Sequence, residues 1–90
     1  MSNIESVLKI LSSYNINPGS TTILDIGCGN GKFTRELGNI FKKVVAIDSS
    51  AAAVKKLRKL ASDYSNISGN VCLDLRIYLY VQGVHKKSSL

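Results

Sequence analysis

Thr21-Thr22-Ile23-Leu24-Asp25-Ile26-Gly27-Cys28-Gly29-Asn30-Gly31 is the stretch that decides how this chain folds. Apart from the acid, residues 21–26 are β-branched or apolar, and they run into a glycine. That is the pattern of a short strand buried on both faces. Gly27, Gly29 and Gly31 then alternate. Glycine takes positive φ without a Cβ clash and lets another molecule approach the backbone closely. Past the turn, Phe33, Leu37, Ile40 and Phe41 recur at helical spacing, and Gly38 weakens the helix end. A glycine turn leading into a helix presents N–H groups and a partial positive charge to whatever lies in front of it.

Working outward, Ile4, Val7, Leu8, Leu11 and Tyr14 define one face of a helix from Asn3 to Tyr14. Asn15 to Ser20 holds the only proline and reads as a loop. Downstream, Lys43 to Ile47 is a second buried strand, closed by Asp48. Ser49 or Ser50 caps the next helix, which runs to about Ala61 with Val54, Leu57, Leu60 and Ala61 inward. Asp63 to Asn70 is polar and reads as a loop. From there Val71, Leu73, Leu75, Ile77, Leu79 and Val81 alternate with Cys72, Asp74, Arg76, Tyr78, Tyr80 and Gln82, which predicts a third strand. Strands separated by helices imply right-handed crossovers and a parallel sheet. The expected class is therefore α/β, a three-layer Rossmann-like fold with a mostly parallel sheet. Residues 1–82 form one unit and 83–90 a polar, basic tail.

Composition narrows the field. A hydrophobic content of 44% is that of a globular chain rather than a disordered one. The apolar runs Val44 to Ile47 and Ile77 to Val81 fall far short of the roughly 20 residues of a membrane span. The start, Met1-Ser2-Asn3-Ile4-Glu5, lacks the pattern of a signal peptide, so a cytoplasmic location is expected, with no membrane partner. Cys28 and Cys72 have neither metal-ligand spacing nor a disulfide pattern, and no metal is expected. His85 stands alone in the tail, with no nucleophile motif around it. The net charge of +6 favours anionic partners, nucleic acid among them. The stronger reading of Lys55, Lys56, Arg58 and Lys59 is the solvated outer face of one helix.

The glycine spacing discriminates among ligands. A Walker A loop fails, because Ile26 stands where its first glycine belongs and Phe33 follows Lys32. The dinucleotide pattern G-x-G-x-x-G fails from either start, ending on Lys32 or on Thr34. Asp25, two residues before the first glycine, would repel a pyrophosphate. It suits a ligand with a positive amino group and sulfonium.

Leu24-Asp25-Ile26-Gly27-Cys28-Gly29-Asn30-Gly31 resembles motif I of the class I S-adenosylmethionine (SAM)-dependent methyltransferases, (D/E)-x-G-x-G-x-G. Asp48, at the end of the next strand, matches the acidic residue that binds the ribose hydroxyls in that family. It also fits a helix-capping role, and the two can coexist. The resemblance implies SAM as cofactor. The backbone of Gly27, Cys28, Gly29, Asn30 and Gly31 would cradle its methionine part. Asp25 would hold the amino group, Asp48 the ribose, and Ser49 would lie at the adenine edge. Asp74 is a weaker match to the acid that contacts the adenine amine, because it falls inside the predicted third strand.

The resemblance covers about Asn3 to Asp74 and implies strands 1 to 3 of a sheet whose full order is 3-2-1-4-5-7-6. The chain reads as a truncated, SAM-binding half. Nothing in it identifies catalytic residues or the methyl acceptor. With strand 4 missing, the first strand has an open apolar edge. Its cover is expected from the last strand, from a second copy in a homodimer, or from a partner chain. Four functions compete: a methyltransferase, a SAM-binding fragment or subunit without turnover, a nucleotide-binding domain, and a nucleic-acid binder without cofactor.

Overall fold

The computed structural model describes residues 3–74. Helix α1 (Asn3–Ser13) is followed by a 3-10 turn at Pro18–Ser20, strand β1 (Thr22–Ile26), helix α2 (Lys32–Gly38), strand β2 (Lys43–Asp48), helix α3 (Ala51–Leu60) and strand β3 (Ile67–Val71). The three strands form one parallel sheet in the order β1-β2-β3. In its register Ile26 lies beside Ile47, and Asp48 beside Val71. All three strands therefore end together, at the edge where ligands bind in open α/β sheets.

Alternation along β2 places the core. Val44 and Ala46 are fully buried on the same face of the sheet. Val44 joins Leu37 and Phe41, with Ile4, Val7 and Leu11 of α1 and Ile23 of β1 packed against them. Ala46 joins Cys28, Leu57 and Ala61. All three helices thus supply side chains to one face of β2. Ser50 caps α3 as expected, its hydroxyl accepting from the Ala53 N–H at 3.2 Å.

The third strand departs from the sequence reading. The expected loop Asp63 to Asn70 holds all of β3 but its last residue, Val71, and Cys72 to Asp74 lie beyond the strand rather than inside it. The rest of the predicted alternation, from Leu75, and the 83–90 tail lie outside the described residues. Ile67-Ser68-Gly69-Asn70-Val71 has little strand propensity of its own. It is a strand because β2 offers it a parallel partner, with the Val44 N–H donating to the Asn66 carbonyl at 2.8 Å. Gly69 is required there by close packing. A Cβ on it would stand 2.8 Å from Leu57 Cδ2. The Asn66 side chain donates to the carbonyls of Gly38 and Phe41 at 2.8 and 3.1 Å, tying the entry of β3 to the end of α2. No helix among the described residues is long and apolar enough to cross a membrane.

Candidate cofactor-binding site

The glycine turn connects β1 to α2 at the carboxyl end of the sheet. Gly27, Gly29 and Gly31 all have positive φ, at 73°, 57° and 89°. Their surroundings differ. A Cβ at Gly27 or Gly29 would meet nothing within 4 Å, whereas one at Gly31 would stand 2.5 Å from Leu57 Cδ1 and 3.2 Å from Leu57 Cα. The first two glycines leave the backbone open to a ligand. The third lets α3 pack against the turn.

The turn satisfies most of its own donors. The N–H groups of Gly27 and Cys28 donate to the Ile47 carbonyl at 2.8 and 3.2 Å, and that of Gly31 to the Cys28 carbonyl at 3.1 Å. Gly29 donates to Asp48 Oδ2 at 3.0 Å, and Lys32 to Asn30 Oδ1 at 3.2 Å. A loop that binds a pyrophosphate keeps such N–H groups aimed at the ligand. Here they are spent inside the chain, which agrees with the failed dinucleotide spacing.

Two carboxylates flank the turn. Asp25, near the end of β1, accepts a hydrogen bond on Oδ2 from Thr34 Oγ1 at 2.5 Å. Its Oδ1 has no hydrogen-bond partner among the described residues. Asp48, at the end of β2, accepts from the Gly29 N–H on Oδ2 and from the Ser50 N–H on Oδ1 at 2.8 Å. The bonds from Ser50 and Gly29 hold its carboxyl below the ordinary carboxylate range. Asp48 therefore serves as a brace between the glycine turn and the start of α3.

Cys28 packs its thiol inward, 8% exposed, so only its backbone faces the site. Burial pushes the thiol pKa up, and the nearby charges of Asp48 and Asp25 add to the shift. Such a thiol stays protonated at neutral pH and is no nucleophile. Ser49 is exposed beside Asp48. The Cys72 N–H donates to the Asp48 carbonyl at 2.9 Å, which brings the segment carrying Asp74 to the same end of the sheet. Asp74 thus follows the third strand instead of lying within it. Among the described residues no group of three or more His, Cys, Asp or Glu gathers as a metal site.

Sequence reasoning overlooked Thr34. It is completely buried yet polar, and it is the partner of Asp25. The available signal was a polar residue one position from the inward-facing Phe33, on the face of α2 that meets β1.

Residues 23–77 match the family model described as "Methyltransferase domain". The chain belongs to the class I SAM-dependent methyltransferase family. An rRNA adenine N-6-methyltransferase of Bacteroides fragilis is 50% identical over 46 residues, which cover 51% of this chain and 17% of that protein. Phosphoethanolamine N-methyltransferase 1 of Triticum aestivum is 37% identical over 70 residues, or 77% of this chain and 13% of that protein. Among solved structures, a dimethyladenosine transferase from Plasmodium falciparum superimposes with a TM-score of 0.61 at 28% identity, covering 80% of this chain and 26% of that one. The chain thus spans less than a third of the length of each of these relatives, and the three strands alternating with helices match the corresponding part of the methyltransferase fold.

Proposed function

We propose that residues 1–82 are the SAM-binding half of a methyltransferase whose acceptor is a base in RNA. The observation that carries the cofactor reading is the pair of carboxylates at the ends of adjacent parallel strands, with an open glycine turn between them. The residues present fit the cofactor. Asp25 Oδ1, unpartnered among the described residues, would take the amino group, and the backbone at Gly27 and Gly29 is open for the methionine chain. Asp48 would take the ribose hydroxyls, sharing or giving up its bond to the Gly29 N–H. Ser49 and Asp74 would border the adenine. Bound SAM supplies an electrophilic methyl carbon on a sulfonium. The chain's own residues hold and orient, and in-line placement of the acceptor does the rest. The RNA acceptor is supported by the +6 charge and by likeness to a protein named for rRNA adenine methylation.

A second reading is a SAM-binding subunit without turnover of its own, whose partner or second copy pairs with β1. Its support is that β1 has a neighbouring strand on one side only among the described residues.

Calorimetry with SAM and with NAD tests the cofactor. SAM is expected to bind, and Asp48→Ala to weaken it at least about tenfold. Equal SAM affinity in wild type and variant, or tighter NAD binding, overturns the assignment. Transfer of labelled methyl to RNA, set against phosphoethanolamine, separates an active enzyme from a silent subunit and names the acceptor class.

A further inference from the structure

A groove of about 630 Å³ begins at Asn30, in the glycine turn, and runs between α2 and α3. Lys32 and Arg35 line it from α2, and Lys56 and Lys59 from α3. Each pair has i, i+3 spacing and so lies on one side of its helix. Among the described residues, Asp63 is the only carboxylate in the lining.

Asp63 is already engaged. Arg35 Nη2 lies 3.2 Å from Asp63 Oδ2, Arg35 Nη1 donates to the Leu60 carbonyl at 3.0 Å, and its guanidinium sits 5.0 Å from the centre of the Tyr64 ring. That arginine anchors α2 to the end of α3. The side-chain ammonium groups of Lys32, Lys56 and Lys59 make no hydrogen bond or ion pair among the described residues. Three ammonium groups lining one groove make it a region of positive potential that attracts anions.

We propose that this groove binds the phosphodiester backbone of a nucleic-acid strand. Each lysine-bearing row extends over about 4.5 Å of helix axis, on two separate helices. With lysines on both helices the positive charge is spread over two walls, which suits a run of phosphates. Lysine meets phosphate as a point charge, without reading sequence, so the groove would hold and orient the strand rather than select a base. The proposal deepens the RNA-acceptor reading and rests on it for the identity of the strand, but it does not depend on SAM.

The test is fluorescence anisotropy with the full chain and a labelled single-stranded RNA, without SAM, across a salt series. Three lysine–phosphate contacts predict a slope of log affinity against log salt near −2, at about 0.7 per contact. The double variant Lys56→Gln/Lys59→Gln should lower the slope to about −0.7 and weaken low-salt binding at least about tenfold. Lys55→Gln, on the same helix but outside the groove, should change neither. A DNA strand of the same sequence bound equally well supports a backbone contact. Equal losses in Lys55→Gln and in the double variant overturn the groove in favour of diffuse charge. So does tighter binding to phosphatidylserine vesicles than to RNA, or no RNA binding by the wild type. A SAM titration on the same samples keeps the two readings apart. SAM binding with RNA binding that ignores the groove sinks only the groove. Groove-dependent RNA binding without SAM binding sinks only the cofactor reading.

Discussion

Thr34 Oγ1 donates a 2.5 Å hydrogen bond to Asp25 Oδ2, linking a fully buried hydroxyl on α2 to the carboxylate beside the glycine turn. The bond occupies one oxygen of Asp25 and leaves the other without a partner among the described residues. A charged acceptor makes this bond stronger than a neutral one. Thr34→Val keeps the shape and removes the donor, so it should cost about 1.5–3 kcal/mol in urea unfolding. Thr34→Ser should recover most of that loss. Equal destabilisation by the two variants would mean that packing, not the hydrogen bond, matters at this position.

The motif glycines should separate by their consequences. At Gly31 an added Cβ meets both the Leu57 side chain and its Cα, on a backbone with φ 89°. Gly31→Ala should therefore destabilise by about 2–4 kcal/mol, from overpacking together with the left-handed conformation. At Gly29 an added Cβ meets open space. Gly29→Ala should cost only about 1–2 kcal/mol of stability, from its conformation alone. Its larger effect is expected in SAM affinity. Thermal unfolding and calorimetry on both variants give the comparison.

Asp48 should leave a signature in acid. Its folded carboxyl titrates below the ordinary range because the N–H groups of Ser50 and Gly29 hold the charged form. A depressed folded pKa contributes stability that is fully present above the unfolded value, and it is lost as pH falls through the folded value. Stability should thus be flat in this contribution at neutral pH and decline below the ordinary carboxylate range. Asp48→Asn should flatten that acid limb. A pH–stability curve of unchanged shape in the variant would count against the brace.

Asn66 is the clamp between α2 and β3, donating to the carbonyls of Gly38 and Phe41. Asn66→Ala leaves two half-buried acceptors without their donor and should cost about 1–3 kcal/mol. Hydrogen exchange should show the loss first in the amides that join β2 to β3.

Most of the candidate site's placement was legible because it is local. Asp25, the alternating glycines and Asp48 lie at strand ends, where spacing along the chain maps directly onto spacing across the sheet. The third strand was not legible. Ile67 to Val71 carries a serine, a glycine and an asparagine, and its identity depends on pairing with β2 and on the tight approach of Leu57 to Gly69. The stronger alternation from Val71 onward pulled the expected strand downstream. Correcting its position moves Asp74 out of a strand and into the segment that follows one, where the family resemblance expects an acid.

By itself, the sequence determined the class of fold and the family. Periodicity sets helix against strand, and the glycine turn with its two flanking carboxylates carries the family pattern along a short stretch of chain. Only the tertiary structure decided how the motif residues divide their work. Gly27 and Gly29 face open space while Gly31 meets Leu57, Thr34 is drawn to Asp25, and Lys32 and Arg35 are set across a groove from Lys56 and Lys59. Those are contacts between elements far apart in sequence, set by how α2 and α3 pack on the sheet, and no local pattern encodes them.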